Sequence, residues 1–524
     1  MRIWDKYLKC KEYAEKKQIT QRTNEQWNFY NDKQWEGLES GGEILPFFNF
    51  IKPICRYKVA TICSNNMTAN YSDLMNRPEY EELYKKLNED FSANWERANM
   101  DRISWLAVKT AAIEGDSFTY FGDHLMKDVD VLGETEILFG DEQCQDIQSQ
   151  PYIIIRERLD VNEIRKLAEE NGIDEAERMM IQPDRENNYL VGNRDDVDED
   201  SKATAIVYYE KIDGIIHMAR AVQNCEFVPL HPVKYKVGDD YSGEGLKYYP
   251  FVKFTWESQP NNARGHSEVR AHIPNQIKSN QVLAQRAIAV AQCSYPKMAY
   301  DSTAVANPEA LDTIGGVIEV TGAVQGVNQM VGYLNPATIS NDAQSLSNDL
   351  REVTRELAGA SEATLGQIDP TRVAASAVAA LKDSSSVNVN EQVSTFREYV
   401  EQIARLWLPL QVVYAPDKLQ SVLGAIPLSE VETLEPDIRV DVSQDTPWTK
   451  EARQQTLDNL LEKQQITFDE YVHLLPDNSI VPKNELLKAL AQRQIQQQEM
   501  AAQQQEMAQQ PQEIQPPEQS PIPQ

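Results

Sequence analysis

At 524 residues the chain is long enough to bury a large core and to hold roughly two to four structural regions. Its 51 Lys and Arg against 81 Asp and Glu leave a formal charge of −30. That argues against a repressor-like or polymerase-like grip on nucleic acid, which needs clustered cations to release counterions from phosphates. The opening MRIWDKYLKCKEYAEKK has no apolar secretory stretch, and no run approaches the roughly 20 apolar residues that a membrane-crossing helix needs.

Residues 1–38 read as helical, with Trp4, Tyr7 and Lys11 on an early face, and end in Asn28-Phe29-Tyr30-Asn31-Asp32-Lys33-Gln34-Trp35-Glu36-Gly37. Pro46-Phe47-Phe48-Asn49-Phe50-Ile51-Lys52-Pro53-Ile54-Cys55-Arg56 then opens a helix continuing through Val59, Ala60 and Ile62. Helical spacing returns over 78–118 (Tyr80, Leu83, Leu87, then Trp95, Ile103, Leu106, Val108) and meets a turn at Gly115 that leads into a strand. Strand-like runs follow at 130–132, 136–139, 152–156 and 205–211, with a short helix over 161–171, so 119–256 reads as mixed α/β. The acidic run from Asn193 to Asp200 fails as a calcium loop: counting from Asp196, the required Gly and Glu are Ser201 and Val207. A solvated loop is the simpler reading.

The stretch RGHSEVRAHIPNQIKSNQVLAQRAIAVAQCSYPKMAY starts at Arg264 and predicts a long helix, with Pro274 in its first turn and Pro296 ending the run. Ile273, Ile277, Ala284, Ile288 and Ala291 fall on one face; Asn275, Lys278, Gln281, Gln285 and Gln292 fall on another. Short β-like runs at 316–320 and 329–333 precede a return helix over 340–357, where Leu346, Leu350, Val353 and Leu357 form one stripe. A small-residue segment, Gly359 to Pro370, reads as a mobile loop. A very long helix follows, with Val393, Phe396, Val400, Ile403, Trp407 and Leu410 in register and a bend expected at 384–390. Asp437 to Val442 alternates as a strand. Leu457, Leu460 and Leu461 mark a helix, Thr467-Phe468-Asp469-Glu470 is a capping box, and 484–505 is helical. The last residues, 494–524, are dense in Gln and Pro and predict disorder.

The order of these pieces resembles the portal proteins of tailed double-stranded DNA bacteriophages. In that family two stem helices flank a small α/β clip, a tunnel loop follows, and a long bent helix crosses the wing. The aromatic segment at 28–37 is similar to a tyrosine–glycine–glutamine–tryptophan region near the start of many portals, though Asn31-Asp32 replaces the usual glycine. The Asn49 to Arg56 segment and the glycine turn at 115 resemble portal features too.

The resemblance implies an α+β, mainly helical portal fold: wing 1–263, first stem helix 264–294, clip 295–340, second stem helix 341–360, tunnel loop 361–372, long wing helix and return strand 373–445, crown 446–493 and tail 494–524. It implies a homo-oligomeric ring, a dodecamer in the assembled family particle, at one capsid vertex of the virion, formed in the host cytoplasm. Double-stranded DNA would pass through it. Its implied partners are the large terminase subunit, major capsid and scaffolding proteins, and head-completion, adaptor or tail proteins, with no membrane. Ile273, Ile277, Ile288, Leu346, Leu350 and Val353 are then candidates for subunit contact. Lys278, Gln281, Gln285, Arg286 and Arg372 are candidates to face DNA, although Lys278 and Arg286 could equally form intersubunit ion pairs. Ser361, Glu362, Gly366, Asp369 and Pro370 would belong to the tunnel loop. A scaffolding-type helical oligomer without a channel is the alternative.

Enzyme chemistry finds no foothold. There is no G-x-x-x-x-G-K-[ST], H-E-x-x-H or G-x-S-x-G. The six histidines are dispersed, and His266 and His272, six apart, would fall on different faces of a helix, which does not suit a shared metal. Cys10, Cys55, Cys63, Cys144, Cys225 and Cys293 form no CxxC pair and read as reduced thiols. No catalytic residue, metal or cofactor is expected.

Overall fold

The structure, a computed structural model, describes residues 2–35, 45–73, 77, 80–122, 129–184, 201–237, 240–242, 245–294, 298–300, 302–303, 305–309, 317, 319, 321, 331–333, 342–357, 389–424, 437–444, 456–463, 465–468 and 471. The first stretch is two helices rather than one: α1 (Ile3–Lys16) and α2 (Ile19–Tyr30), separated because Gln18 takes a left-handed conformation at φ 53°. α3 (Ile51–Cys63) and β1 (Asn65–Ser72) follow. The helical reading of 78–118 likewise divides into α4 (Glu81–Arg97) and α5 (Met100–Glu114) at left-handed Asn99, φ 55°.

Gly115 ends α5 at φ 116°, and a Cβ there would stand 2.8 Å from the carbonyl oxygen of Gly265. Only glycine meets both demands. The turn launches β2 (Asp116–Phe121), whose six residues are all buried. β3 (Val129–Leu132), β4 (Ile137–Phe139) and β5 (Tyr152–Asp160) come next. α6 (Val161–Glu170) starts on an Asp160 cap, whose carboxylate accepts from the Asn162 amide at 2.8 Å, and α7 (Glu175–Met179) follows. β6 (Lys202–Ile212), β7 (Ile215–Val222) and β8 (Cys225–Pro232) complete an antiparallel sheet ordered β4-β5-β6-β7-β8. Sequence reading found β4, β5 and β6; it missed β1 and the β7–β8 hairpin. The short pair β9 (Tyr235–Val237) and β10 (Asp240–Ser242) precedes β11 (Phe251–Thr255), which joins β2 and β3 in a second sheet, β11-β2-β3.

α8 (Glu268–Ser294) is the predicted long helix, with one correction: Pro274 lies inside it, not in its first turn. The start is earlier because Ser267 accepts the Arg270 amide on its hydroxyl at 3.2 Å, as an N-cap does. β12 (Met298–Tyr300) pairs antiparallel with β13 (Val331–Tyr333), and α9 (Asp342–Leu357) returns. α10 (Asn390–Tyr414) carries Pro409 within it; α11 (Pro416–Leu423) and β14 (Asp437–Gln444) close the unit, β14 pairing with β1. The tunnel-loop residues 361–372, the expected bend at 384–388, the acidic run 193–200 and the tail 494–524 lie outside the described residues.

The main core joins α3, α4, α5, α10 and the β11-β2-β3 sheet, with Trp256, Trp407, Phe118 and Tyr399 each no more than 1 % exposed. α1 covers the five-stranded sheet through Tyr7 and Cys10, while α6 covers it through Ile164 and Ala168. The chain divides after Ser443 into a second unit. In that unit the Tyr471 hydroxyl donates to Asp458 at 2.7 Å, and its ring stacks on Phe468. The protein is α+β.

Candidate functional site

The pair α8 and α9 departs from a root of buried charge, and that root explains where the pair stands. Arg264 grips Glu142 with two bonds of 2.8 and 2.9 Å and donates to the Glu134 and Ile137 carbonyls at 2.8 and 3.3 Å. Glu134 has no exposed side chain and also pairs with Arg22. Behind it, Glu114 accepts from Trp27 Nε1 at 2.7 Å and from the Glu134 amide at 2.6 Å. Burial outweighs these bonds and pushes the Glu114 carboxyl up to about 8. At the first residue of α8 the opposite holds. Burial also presses the Glu268 carboxyl upward, but His272 at 2.9 Å and Lys58 at 2.7 Å hold it down at about 2. Trp256 Nε1 adds a third bond to Glu268 at 3.1 Å.

Farther along α8 an amide ladder takes over. Gln276 accepts the Phe50 amide at 3.1 Å and donates to the Phe48 carbonyl at 2.9 Å and to Asn280 at 2.8 Å. Asn280 then donates to Gln34 at 2.6 Å. These polar side chains are at most 2 % exposed on α8, so the helix is docked by hydrogen bonds as much as by apolar packing. On another side α9 packs against it, with Asn275 donating to the buried Thr354 hydroxyl at 3.2 Å. Arg351 of α9 stands over the Phe48 ring at 5.5 Å.

The outer side of α8 differs from the sequence-predicted division. Arg270, Pro274, Ile277, Lys278, Gln281, Gln285 and Ile288 are all exposed, and at 3.6 residues per turn they fall within one broad face. Ile277 and Ile288, at 38 % and 39 % exposure, therefore share it with the amides instead of standing apart. Ile273 is 7 % exposed and packs in the chain's own core beside Phe29, Phe50 and Val269, which leaves little of it for a neighbour. Leu346 and Val353 on α9 are 45 % and 51 % exposed, with Leu350 half-buried. Arg286 is half-buried. Arg372 and the tunnel-loop residues Ser361, Glu362, Gly366, Asp369 and Pro370 lie outside the described residues, as does most of 295–340.

Sequence reasoning missed Gln276, Ser279 and Asn280 as buried. The one available signal was Gln276 and Asn280 four apart, flanking the apolar stripe at Ile273 and Ala284. Among the described residues no group of three His, Cys, Asp or Glu is placed to hold a metal, and no helix is long and apolar enough to cross a membrane.

No curated protein gives a significant match. The model of the phage P22-like portal protein family matches residues 238–523, more than half of the chain, and takes in α8, the β12–β13 pair, α9 and α10. With two packed helices flanking a small β-pair, and a long helix after them, the chain belongs to the phage P22-like portal protein family.

Proposed function

We propose that this chain is the subunit of a closed homo-oligomeric ring at a capsid vertex, through which double-stranded DNA is packaged and later released. The observation that carries the reading is the exposed apolar set on the helix pair: Ile277, Ile288, Leu346 and Val353, all 38–51 % exposed in the single chain. Side chains of that kind, held on helices with rigid roots, are favoured where a second copy covers them. Ring closure by rotation needs two different complementary faces per subunit, and α8 and α9 supply one each.

Lys278, Gln281 and Gln285 lie on the exposed face of α8, and a ring repeats each into a belt. A belt of Lys278 would meet phosphates, and the amides would offer weak, exchangeable bonds that suit sliding. The segment 295–340 serves as the clip that docks terminase and head-completion proteins, and 361–372 narrows the bore. The role is mechanical; the ATP-driven chemistry belongs to the terminase.

Electron microscopy of the purified protein tests this directly. Closed rings with a central hole are expected; a monodisperse monomer that stays single in the presence of scaffolding protein would reject the ring. For the belt, Lys278→Glu rings should package DNA poorly, and undiminished packaging by intact rings would remove Lys278 from any phosphate role.

A further inference from the structure

Away from α8 and α9, the exposed side of α5 carries a stripe at odds with the acidic balance of the chain. Arg102, Trp105, Leu106 and Lys109 recur on it at helical spacing, with Trp105 and Leu106 at 44 % and 41 % exposure. Burial first, then Arg56 and Lys52 on the neighbouring α3, hold the Lys109 ammonium below the usual lysine range. That ammonium stands over the rings of Trp27, Tyr30 and Trp105, at 5.9, 5.7 and 5.6 Å from their centres. Lys52 is paired with Asp32. Acidic residues outnumber basic ones 81 to 51 in this chain, yet Arg56, Arg102 and Lys109 make no ion pair among the described residues.

A groove of the opposite sign opens between α10 and β11. It encloses about 400 Å³ and is lined in part by Asp146, Tyr248, Phe251, Glu398, Glu401 and Leu406. Phe251 and Leu406, at 1 % and 4 % exposure, give it an apolar floor. Glu401 is paired with Arg405 at 2.8 Å, while Asp146 and Glu398 make no ion pair among the described residues. The inner sides of both helices, Ala107 and Ala111 of α5 and Tyr399 and Ile403 of α10, are buried in one core. Stripe and groove therefore both turn outward from that core, and they cannot meet within a single chain.

We propose that the α5 stripe of one copy seats Trp105 in the groove of the next copy, with Arg56, Arg102 and Lys109 facing Asp146 and Glu398. The contact rests on the ring reading above and adds to the contact made by α8 and α9. Its two faces differ, so repeating it by rotation closes a ring instead of stopping at a pair. An exposed Trp flanked by Arg has the composition of the residues that dominate interfaces. The groove lies near the lower end of ligand-pocket volumes, ~300–1,000 Å³, which suits one large side chain and not a whole helix. Its carboxylates would offset the mutual repulsion of the cations on the stripe. Nucleic acid fits the stripe less well, because it would have to approach a chain of net charge −30. A second copy brings the opposite charge to it at every junction.

A mixing experiment on the full chain tests the contact. One double variant, Arg56→Glu with Arg102→Glu, reverses charge on the stripe; another, Glu398→Lys with Glu401→Lys, reverses it in the groove. Each alone sets like charge against like, and should need about tenfold more protein than the unaltered chain to form rings, read by mass photometry. An equimolar mixture restores opposite charges at every junction of a ring in which the two variants alternate. It should assemble at the concentration that suffices for the unaltered chain. Trp105→Ala should again need about tenfold more protein. Unchanged assembly by any of the three variants overturns the contact and leaves the ring through α8 and α9 standing. A mixture that assembles no better than its components overturns it too, and reassigns the stripe to nucleic acid or an acidic foreign protein. An unaltered chain that stays single even with scaffolding protein overturns this contact and the ring reading together. Circular dichroism confirms that each variant is folded. Should a double variant fail that check, Trp105→Ala, which alters an exposed side chain, carries the test.

Discussion

Two carboxyl groups at the root of α8 carry opposite shifts, and each makes stability depend on pH in its own window. Glu114 rises from the ordinary 4.5 to about 8, so the folded chain holds a proton that the unfolded chain releases between those values. Stability contributed by that proton is full below about 4.5 and declines as pH climbs to about 8. Glu114→Gln should flatten this decline in melting temperatures taken from pH 5 to 8; an unchanged slope would place the titration elsewhere. Glu268 behaves in reverse. Held at about 2, its charge stabilises the fold above 4.5, and that stabilisation is lost as pH falls toward 2. Glu268→Gln removes the partner of a nearly buried Lys58 and should cost about 3 kcal/mol in urea unfolding at pH 7, with the deficit shrinking in acid. Neither residue was legible beforehand. Among 81 acidic side chains nothing in the sequence distinguishes one that will meet Trp27 or Lys58 from one that stays in water.

At the scale of elements, periodicity told the helical type of α8, α9 and α10 well, because each has an apolar stripe of about three turns or more. It told their faces less well. Gln276 and Asn280 look solvent-facing in any apolar-versus-polar pattern, and they are buried only because Phe48, Phe50 and Gln34, more than two hundred residues earlier, present the matching groups. The breaks at Gln18 and Asn99 escaped for a related reason: each is a single non-glycine residue in the left-handed region, with no glycine or proline to mark it. Asn280→Ala tests the ladder. It takes one hydrogen bond from each of the Gln34 and Gln276 amides and should cost about 1–3 kcal/mol, read as a lowered melting temperature with unchanged helix content.

For the whole molecule, folding and assembly should separate cleanly. Ile277 and Val353 are 38 % and 51 % exposed, so replacing both with Asp should leave the melting curve of the single chain nearly unchanged. Light scattering after size exclusion should nevertheless report a shift from ring to single subunit. Retained rings would move the contact to another face. The family order of helices, β-pair and long helix was readable from sequence because it depends on lengths and punctuation. Which surfaces meet was not, because a one-residue error in helical phase turns a side chain by about 100°.

The bond from Gln392 Nε2 to the Trp256 carbonyl, at 3.2 Å, has a further consequence. The chain leaves the β11-β2-β3 sheet at Trp256 and returns to the same point at Gln392, so residues 257–391 form a single closed detour. Closing a detour costs entropy that grows only with the logarithm of its length. Beyond the rooted turns of α8, segments can therefore be lengthened, shortened or exchanged without retuning the sheet that holds both ends. A chain whose detour is trimmed at its far end should keep the melting transition of the 1–256 and 392–443 body. Evolution could then refit what the far end meets while the anchorage stays the same.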